Sequence, residues 1–240
     1  VGATADFPAL DCLDVLNENP GAESGLYWIQ PIRDVYQAYC NMDTDGGGWT
    51  LVMRAVNSNF VYNDPVWTTE AVRNKYDFDF LAAGESKYPS FNEVPFTEIL
   101  TTDTEDFLIS HSEYFSGGKE SALDLFSEPT TTLLEATTFE SYFNDRAPEE
   151  SKSGGCTDFD RYGFNLYEAL GCTYMSVSFA CDYNGGARWG NRVNGWEYGD
   201  GNIRGQGWAN YTCSDYHNPT TDTGISDSYV DEIYELMWVR

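Results

Sequence analysis

The 240-residue sequence predicts an α+β fold, a single domain of mixed β-sheets, short helices and long ordered loops held by three disulfides. Aromatic residues make up 16% of the chain beside 22 glycines, a mixture foreign to disordered chains and to helical bundles. Its β-branched and aromatic runs are short and end at Gly, Pro, Asn or Asp, as strands do. A chain of this length can bury a sizeable core.

The cysteines are the third observation behind the predicted fold. There are six, and no C-x-x-C pair occurs, so zinc-ribbon and thioredoxin-like sites lack their spacing. Three disulfides are the better interpretation, and they predict an oxidising, secreted or extracellular location. The spacing leaves the pairing open.

Charge excludes two classes of partner. The chain has 13 basic and 39 acidic residues, a net charge of −26. Nucleic acids and anionic membrane surfaces both require basic protein surface. No apolar run approaches the ~20 residues of a membrane span, so membrane insertion is not expected. Three explanations of the acidity stay open: bound cations, salty surroundings, or solubility alone.

The first quarter of the chain shows the clearest element pattern. In chain order we predict a lead-in (1–10), a short helix (11–17), a strand (24–31) and a hairpin (35–40 with 49–52). Residues 11–240 then form the domain, with 11–55 as an N-terminal subdomain and 56–240 as the sheet and ligand-binding region.

The loop of that hairpin is acidic and glycine-rich. Asn41, Asp43, Asp45 and Gly46 match the opening of an EF-hand loop, in which oxygen ligands alternate. The twelfth position is Val52 instead of the required Glu, and flanking helices are missing. The same residue types supply the positive φ and side-chain-to-backbone bonds of a tight turn, so we predict a turn.

The middle of the chain is less informative. A helix is predicted over 68–76, with Thr68 or Thr69 as cap. Strand-like pieces occur at 107–109 and 131–134. The acidic, Ser/Thr-rich segment 82–150 contains no linker composition, so we predict insertions on a shared core rather than a second domain.

Motifs at both ends resemble known families. Cys12, Ser-Gly-Leu-Tyr-Trp-Ile-Gln-Pro (24–31) and Tyr-Cys-Asn-Met-Asp-Thr-Asp-Gly-Gly-Gly-Trp-Thr-Leu-Val (39–52) resemble the start of a fibrinogen-related domain. This resemblance implies a Cys12–Cys40 disulfide. The paired-aspartate calcium loop of fibrinogen and ficolin domains is not found.

Segments 161–172, 177–186 and 226–240 resemble the intelectin (X-type lectin) branch of that superfamily. The resemblance implies Cys156–Cys181 and Cys172–Cys213 disulfides and an intelectin-like domain. It also implies a bound calcium that two hydroxyls of an exocyclic glycan diol complete. The implied metal ligands are Asn165, Asp182 and Glu197, with Glu168 near an acidic ligand and Asn184 near the position of the family's missing His. Tyr216 or Tyr211 is implied as an aromatic wall.

The residues of 182–200 point the same way independently. Asp, Asn and Glu among glycines offer the hard oxygens that calcium prefers. Trp189, Trp196 and Tyr198 offer flat faces for a sugar ring, with polar groups such as Asp200 to orient it. The alternative is that these residues only build surface turns over a core that contains the tryptophans.

Catalytic motifs are missing. The two histidines, His111 and His217, lie far apart in sequence, and neither a G-x-S-x-G elbow nor an H-E-x-x-H motif occurs. We therefore predict a non-enzymatic, secreted, calcium-dependent lectin for cell-surface or microbial glycans, in which homo-oligomers are allowed. The alternative is a fibrinogen-related adhesion or structural module that binds proteins without sugar.

Overall fold

The structure is a computed structural model that describes residues 1–56, 64–80, 85–103, 110–128, 132–134, 159–164, 177–181, 189–193, 202–204 and 234–240. The chain falls into two compact units. The first comprises Val1–Arg54, Thr68–Ser127 and Leu236–Arg240, and the second comprises Ala55–Trp67 and Glu128–Glu235. The first segment of this unit thus ends at Arg54, next to the predicted subdomain boundary at residue 55, but the unit also contains later segments that begin at Thr68.

Short helices and twelve strands make up the described elements. The helices are α1 (Cys12–Glu18), α2 (Ser90–Glu93) and α3 (Ala122–Ser127), with 3-10 turns at Thr44–Gly46 and Pro65–Trp67. The strands are β1 (Gly25–Ile29), β2 (Tyr36–Asn41), β3 (Trp49–Val56), β4 (Ser86–Lys87), β5 (Phe96–Asp103), β6 (Ser110–Lys119), β7 (Thr132–Leu134), β8 (Phe159–Phe164), β9 (Val177–Cys181), β10 (Trp189–Val193), β11 (Asn202–Arg204) and β12 (Tyr234–Val239).

The first unit is built on one sheet with the order β1-β2-β3-β12-β5-β6, and β4 also pairs with β3. The last strand of the sequence therefore lies at the centre of this sheet, between β3 and β5. The outer edge of β1 is covered by the lead-in, because Ala9 pairs in parallel with Ile29. Covering an edge in this way removes a template for unwanted strand pairing.

The predicted N-terminal elements are confirmed. Asp11 caps α1 by accepting the Asp14 amide at 2.8 Å. A disulfide joins Cys12 to Cys40 on β2, the pairing that the fibrinogen-related resemblance implied. The hairpin is also present: β2 and β3 are antiparallel, with Cys40 opposite Thr50.

Aromatic side chains contribute much of the core of the first unit. One core cluster contains the buried residues Trp49, Leu51, Tyr88, Leu100, Leu236 and Trp238, with Tyr39, Phe78 and Phe80 packed against them. The Tyr39 and Phe80 rings meet edge to face at 4.8 Å between centroids. Burial raises the pKa of the Tyr88 hydroxyl to about 12.

The predicted helix at 68–76 is wrong. Its backbone groups are used in tertiary bonds: Arg73 and Lys87 exchange backbone hydrogen bonds of 3.1 and 3.0 Å. Asn92 Nδ2 donates to the Glu70 carbonyl at 2.8 Å, and Asn74 has a φ of 45°. Long-range pairing with β4 therefore outweighs a weak local helical preference.

The second unit contains a five-stranded sheet with the order β11-β9-β10-β8-β7. The β9–β10 pair is parallel and the other pairs are antiparallel. β7 confirms the strand predicted at 131–134, whereas the piece predicted at 107–109 lies outside the described residues. Two sheets of mostly antiparallel strands with a few short helices agree with the predicted α+β class.

Three cysteines of the two remaining predicted disulfides, Cys156, Cys172 and Cys213, lie outside the described residues. Cys181 ends β9. These two pairings stay predictions, as does the division of the chain into one domain with two subdomains.

An ion pair between a buried arginine and a partly exposed aspartate anchors the residues that follow segment 68–76. The Arg54 side chain is fully buried, and its Nη2 lies 2.8 Å from Asp77 Oδ2. The same guanidinium donates to the Asp79 carbonyl. The Arg54 hydrogen bond holds the pKa of the Asp77 carboxyl below its ordinary value of 3.8.

We expect Asp77→Asn to lower the free energy of unfolding by about 1–3 kcal/mol at pH 7, because it removes the carboxylate charge that pairs with the buried Arg54 guanidinium. The lower end allows for the partial exposure of Asp77. A carboxyl with a depressed pKa stabilises the fold above its unfolded pKa and loses this effect as the pH falls through its folded pKa. The deficit, measured by urea unfolding, should therefore shrink between pH 5 and about pH 2.

The exposed Asp6→Asn change removes the same charge and is the matched control. It should change stability by less than about 0.5 kcal/mol at either pH. An Asp77→Asn deficit that is the same at low and neutral pH would show that the ion pair is not its cause.

Candidate functional site

Side-chain oxygens of the acidic hairpin loop accept hydrogen bonds from nearby protein groups. Asn41 Oδ1 accepts the backbone amides of Asp43 and Thr44 at 3.0 Å each. Asp43 Oδ2 accepts the Ser24 hydroxyl at 2.6 Å. These are the bonds of a tight turn, so the turn prediction is confirmed and the EF-hand-like spacing reflects scaffold chemistry.

Backbone carbonyls of the same loop face a basic side chain. Arg240 Nη1 donates to the carbonyls of Asp45 at 3.0 Å and Gly47 at 2.8 Å. Sequence inspection missed this contact because the partners are 195 positions apart. The only sequence signal was that Arg240 belongs to the segment 226–240, which resembles the intelectin branch.

Among the described residues, no group of three or more His, Cys, Asp and Glu side chains is arranged to hold a metal ion. None of the described helices has the length and apolar character to cross a membrane.

Most of the predicted site lies outside the described residues. This applies to the predicted metal ligands Asn165, Glu168, Asp182, Asn184 and Glu197, and to Trp196, Tyr198, Asp200, Tyr211 and Tyr216. Trp189 is the first residue of β10. What the structure does describe is the set of strand ends from which these segments depart.

Three strand termini lie side by side in the second sheet, in a row that runs across the strand direction. Cys181, the last residue of β9, is paired with Val193, the last residue of β10. On its other side it is paired with Asn202, the first residue of β11. We call this row the 181/193/202 edge. In the chain, Asp182 directly follows Cys181, Glu197 comes four residues after Val193, and Asp200 comes two residues before Asn202.

The opposite edge, at the other end of β10, contains the residue that precedes Asn165. Phe164, the last residue of β8, is paired with Trp189 at the start of β10. The two edges are separated by the length of β10, about 13 Å for its four residue steps. Calcium ligands lie about 2.3–2.6 Å from the ion. The register therefore places Cys181, Val193 and Asn202 in one row and Phe164 at the other end of β10.

Comparison with known proteins finds a family match in the N-terminal quarter of the chain. Residues 9–69 match the family model described as fibrinogen beta and gamma chains, C-terminal globular domain. This range covers α1, the disulfide and the hairpin.

Three relatives are similar in sequence to parts of the chain. The chain is 25% identical to the fibrinogen alpha-2 chain of Petromyzon marinus over 86% of its own length and 35% of that protein. It is 42% identical to fibrinogen-like protein A of Apostichopus parvimensis over 24% of its length and 21% of that protein. It is 46% identical to human tenascin-N over 22% of its length and 4% of that protein. The chain thus spans about a third or less of the length of these relatives.

These matches support placing the chain in the fibrinogen-related superfamily. Within that class, the intelectin branch predicted from the C-terminal motifs belongs with the proposals below.

Proposed function

We propose that the protein is a secreted, calcium-dependent lectin of the intelectin type, and that its calcium and glycan site is built on the 181/193/202 edge. The observation that carries this proposal is the pairing of the ends of β9 and β10 with the start of β11. Strand ends that lie together give the attached loops a common origin, which is where binding sites on a rigid scaffold are usually found.

The donor set of those loops suits calcium. Asp182 and Asn184 follow β9, Glu197 follows β10, and Asp200 precedes β11. The segments that contain these carboxylate and amide oxygens are therefore all attached to the 181/193/202 edge. Oxygen-only sets of this kind favour a hard cation. They also account for part of the net charge of −26.

Bound calcium would supply open coordination positions for two vicinal hydroxyls of a sugar. The protein's own part is to hold the carboxylates close to one another and to present apolar faces beside them. Trp196 and Tyr198 lie in the same segment as Glu197, and an aromatic face packs against the C–H surface of a sugar ring. Recognition then requires no bond breaking, in keeping with the generally non-enzymatic character of fibrinogen-like domains.

The disulfide supports the proposed secreted location of the protein. A buried Cys12–Cys40 bond persists in oxidising compartments. Glycans on cell surfaces or microbes are encountered there.

Retention on immobilised glycans tests the proposal. We expect the protein to be retained on at least one glycan with a terminal exocyclic diol in millimolar calcium, released by EDTA and retained again when calcium is restored. Magnesium should not substitute well, because it demands a smaller octahedral shell and dehydrates reluctantly.

Retention that survives EDTA would contradict coordination by calcium. An absence of retention on every glycan would instead favour the rival function, an adhesion module that binds proteins.

A further inference from the structure

A second site is built around the glycine-rich hairpin loop, and it is independent of the proposed lectin function. Its floor is the indole of Trp49, which is fully buried and held by a 2.9 Å bond from Nε1 to the Thr44 carbonyl. The Arg240 guanidinium carbon lies 4.0 Å from the Trp49 ring centroid. This is a cation–π contact at close range.

Two walls complete the site. On one side the carbonyls of Asp45 and Gly47 both accept from Arg240 Nη1. On the other side Glu98 Oε2 accepts from Arg240 Nε at 2.9 Å. An aromatic face, converging carbonyls and a carboxylate are together the groups that recognise a planar guanidinium, which is a cation with donors in a fixed fork.

The loop adopts an uncommon conformation to present those carbonyls. Four consecutive residues have positive φ: Asp45 at 44°, then Gly46, Gly47 and Gly48 at 85°, 74° and 77°. A Cβ on Gly47 would lie 2.3 Å from the Met42 carbonyl oxygen, so glycine is required there. A non-glycine residue with positive φ such as Asp45 persists only when its surroundings impose it.

We propose that Thr44–Trp49 together with Glu98 forms a guanidinium-binding site, which Arg240 fills from within the same chain. The acidic loop is thus a cation site, but its cation is an arginine side chain instead of calcium. Because Arg240 directly follows the central strand β12, filling the site also fixes the hairpin loop to the middle of the sheet.

Chemical rescue tests the proposal. Arg240→Ala should lower the Tm by about 4 °C or more, because a largely buried cation–π contact and three hydrogen bonds are lost together. Methylguanidinium chloride at 1–20 mM should then raise the Tm of this variant saturably by about 2 °C, since a ligand of the native state alone stabilises it. Methylammonium chloride at equal concentration should not, and the wild-type protein should respond to neither.

Two further variants define the specificity. Arg240→Lys keeps the charge but not the fork, so its Tm should lie near that of Arg240→Ala. Arg240→Ala combined with Glu98→Gln should lose most of the rescue.

Equal responses of Arg240→Ala and wild type to methylguanidinium, or a wild-type Tm for Arg240→Lys, would overturn the proposal. If Arg240→Ala does not fold, its refolding yield with methylguanidinium replaces the Tm: a higher yield than with methylammonium supports the site, and equal yields overturn it.

Discussion

Replacing Trp238 with alanine is expected to lower the free energy of unfolding by about 3–5 kcal/mol, the range for deleting a large aromatic side chain from a core. The indole is fully buried on β12, between β3 and β5. Its ring lies 6.2 Å from Tyr39 and 6.1 Å from Phe80, centroid to centroid. Its Nε1 also donates to Thr102 Oγ1 at 2.8 Å. The change therefore also removes the donor to a buried hydroxyl.

A loss of this size is a large share of the ~5–15 kcal/mol that stabilises a typical protein. Urea unfolding followed by circular dichroism measures it. Tyr76→Ala is the matched control, because that aromatic ring is 77% exposed and its removal should cost less than about 0.5 kcal/mol. A Trp238→Ala deficit below about 1 kcal/mol would contradict the central position of β12.

The N-terminal elements were predictable because their determinants are local. Asp11 caps the helix three residues before the amide that it accepts, and the turn residues of the hairpin lie within eight positions of one another. Short-range side-chain-to-backbone bonds of this kind leave a direct signature in sequence.

The failure at 68–76 has the opposite cause. The conformation of this segment depends on backbone pairing of Arg73 with Lys87 and on the Asn92 side chain that donates to the Glu70 carbonyl, and both partners lie outside the segment. Nothing within the segment records these partners. The central place of β12 and the Arg240 contact with Asp45 were unpredictable for the same reason.

The sequence predicts the candidate site as a set of residue types but not as an arrangement. Composition and resemblance both singled out the oxygen-rich segment 182–200. The pairing of Cys181 with Val193 and Asn202 is a long-range property that neither contains. The register of β10 places Phe164, which precedes Asn165, at the other end of β10 from Cys181, which precedes Asp182. The ligand set that the resemblance implies, with both residues on one ion, stays a prediction.

The second large effect is therefore expected at the 181/193/202 edge. Asp182→Asn and Glu197→Gln each remove the charge of one proposed ligand while preserving side-chain size. Calcium affinity depends strongly on the number of charged ligands. Each change should weaken glycan affinity in calcium by at least tenfold, and the double variant should abolish measurable binding with the Tm in EDTA unchanged.

Asn165→Ala is the matched test of position, because Asn165 follows the opposite edge of the sheet. We expect it to weaken binding by less than about threefold, because Phe164, which precedes Asn165, lies at the other end of β10 from Cys181 and Val193.

The most direct measurement is a calorimetric titration of one diol-bearing glycan into wild type, the Asp182→Asn/Glu197→Gln variant and Asn165→Ala, each in calcium and in EDTA. We expect binding by wild type and Asn165→Ala in calcium alone, and none by the double variant in either buffer. Glycan binding by the double variant in calcium, or its loss in Asn165→Ala alone, would contradict a calcium site on the 181/193/202 edge.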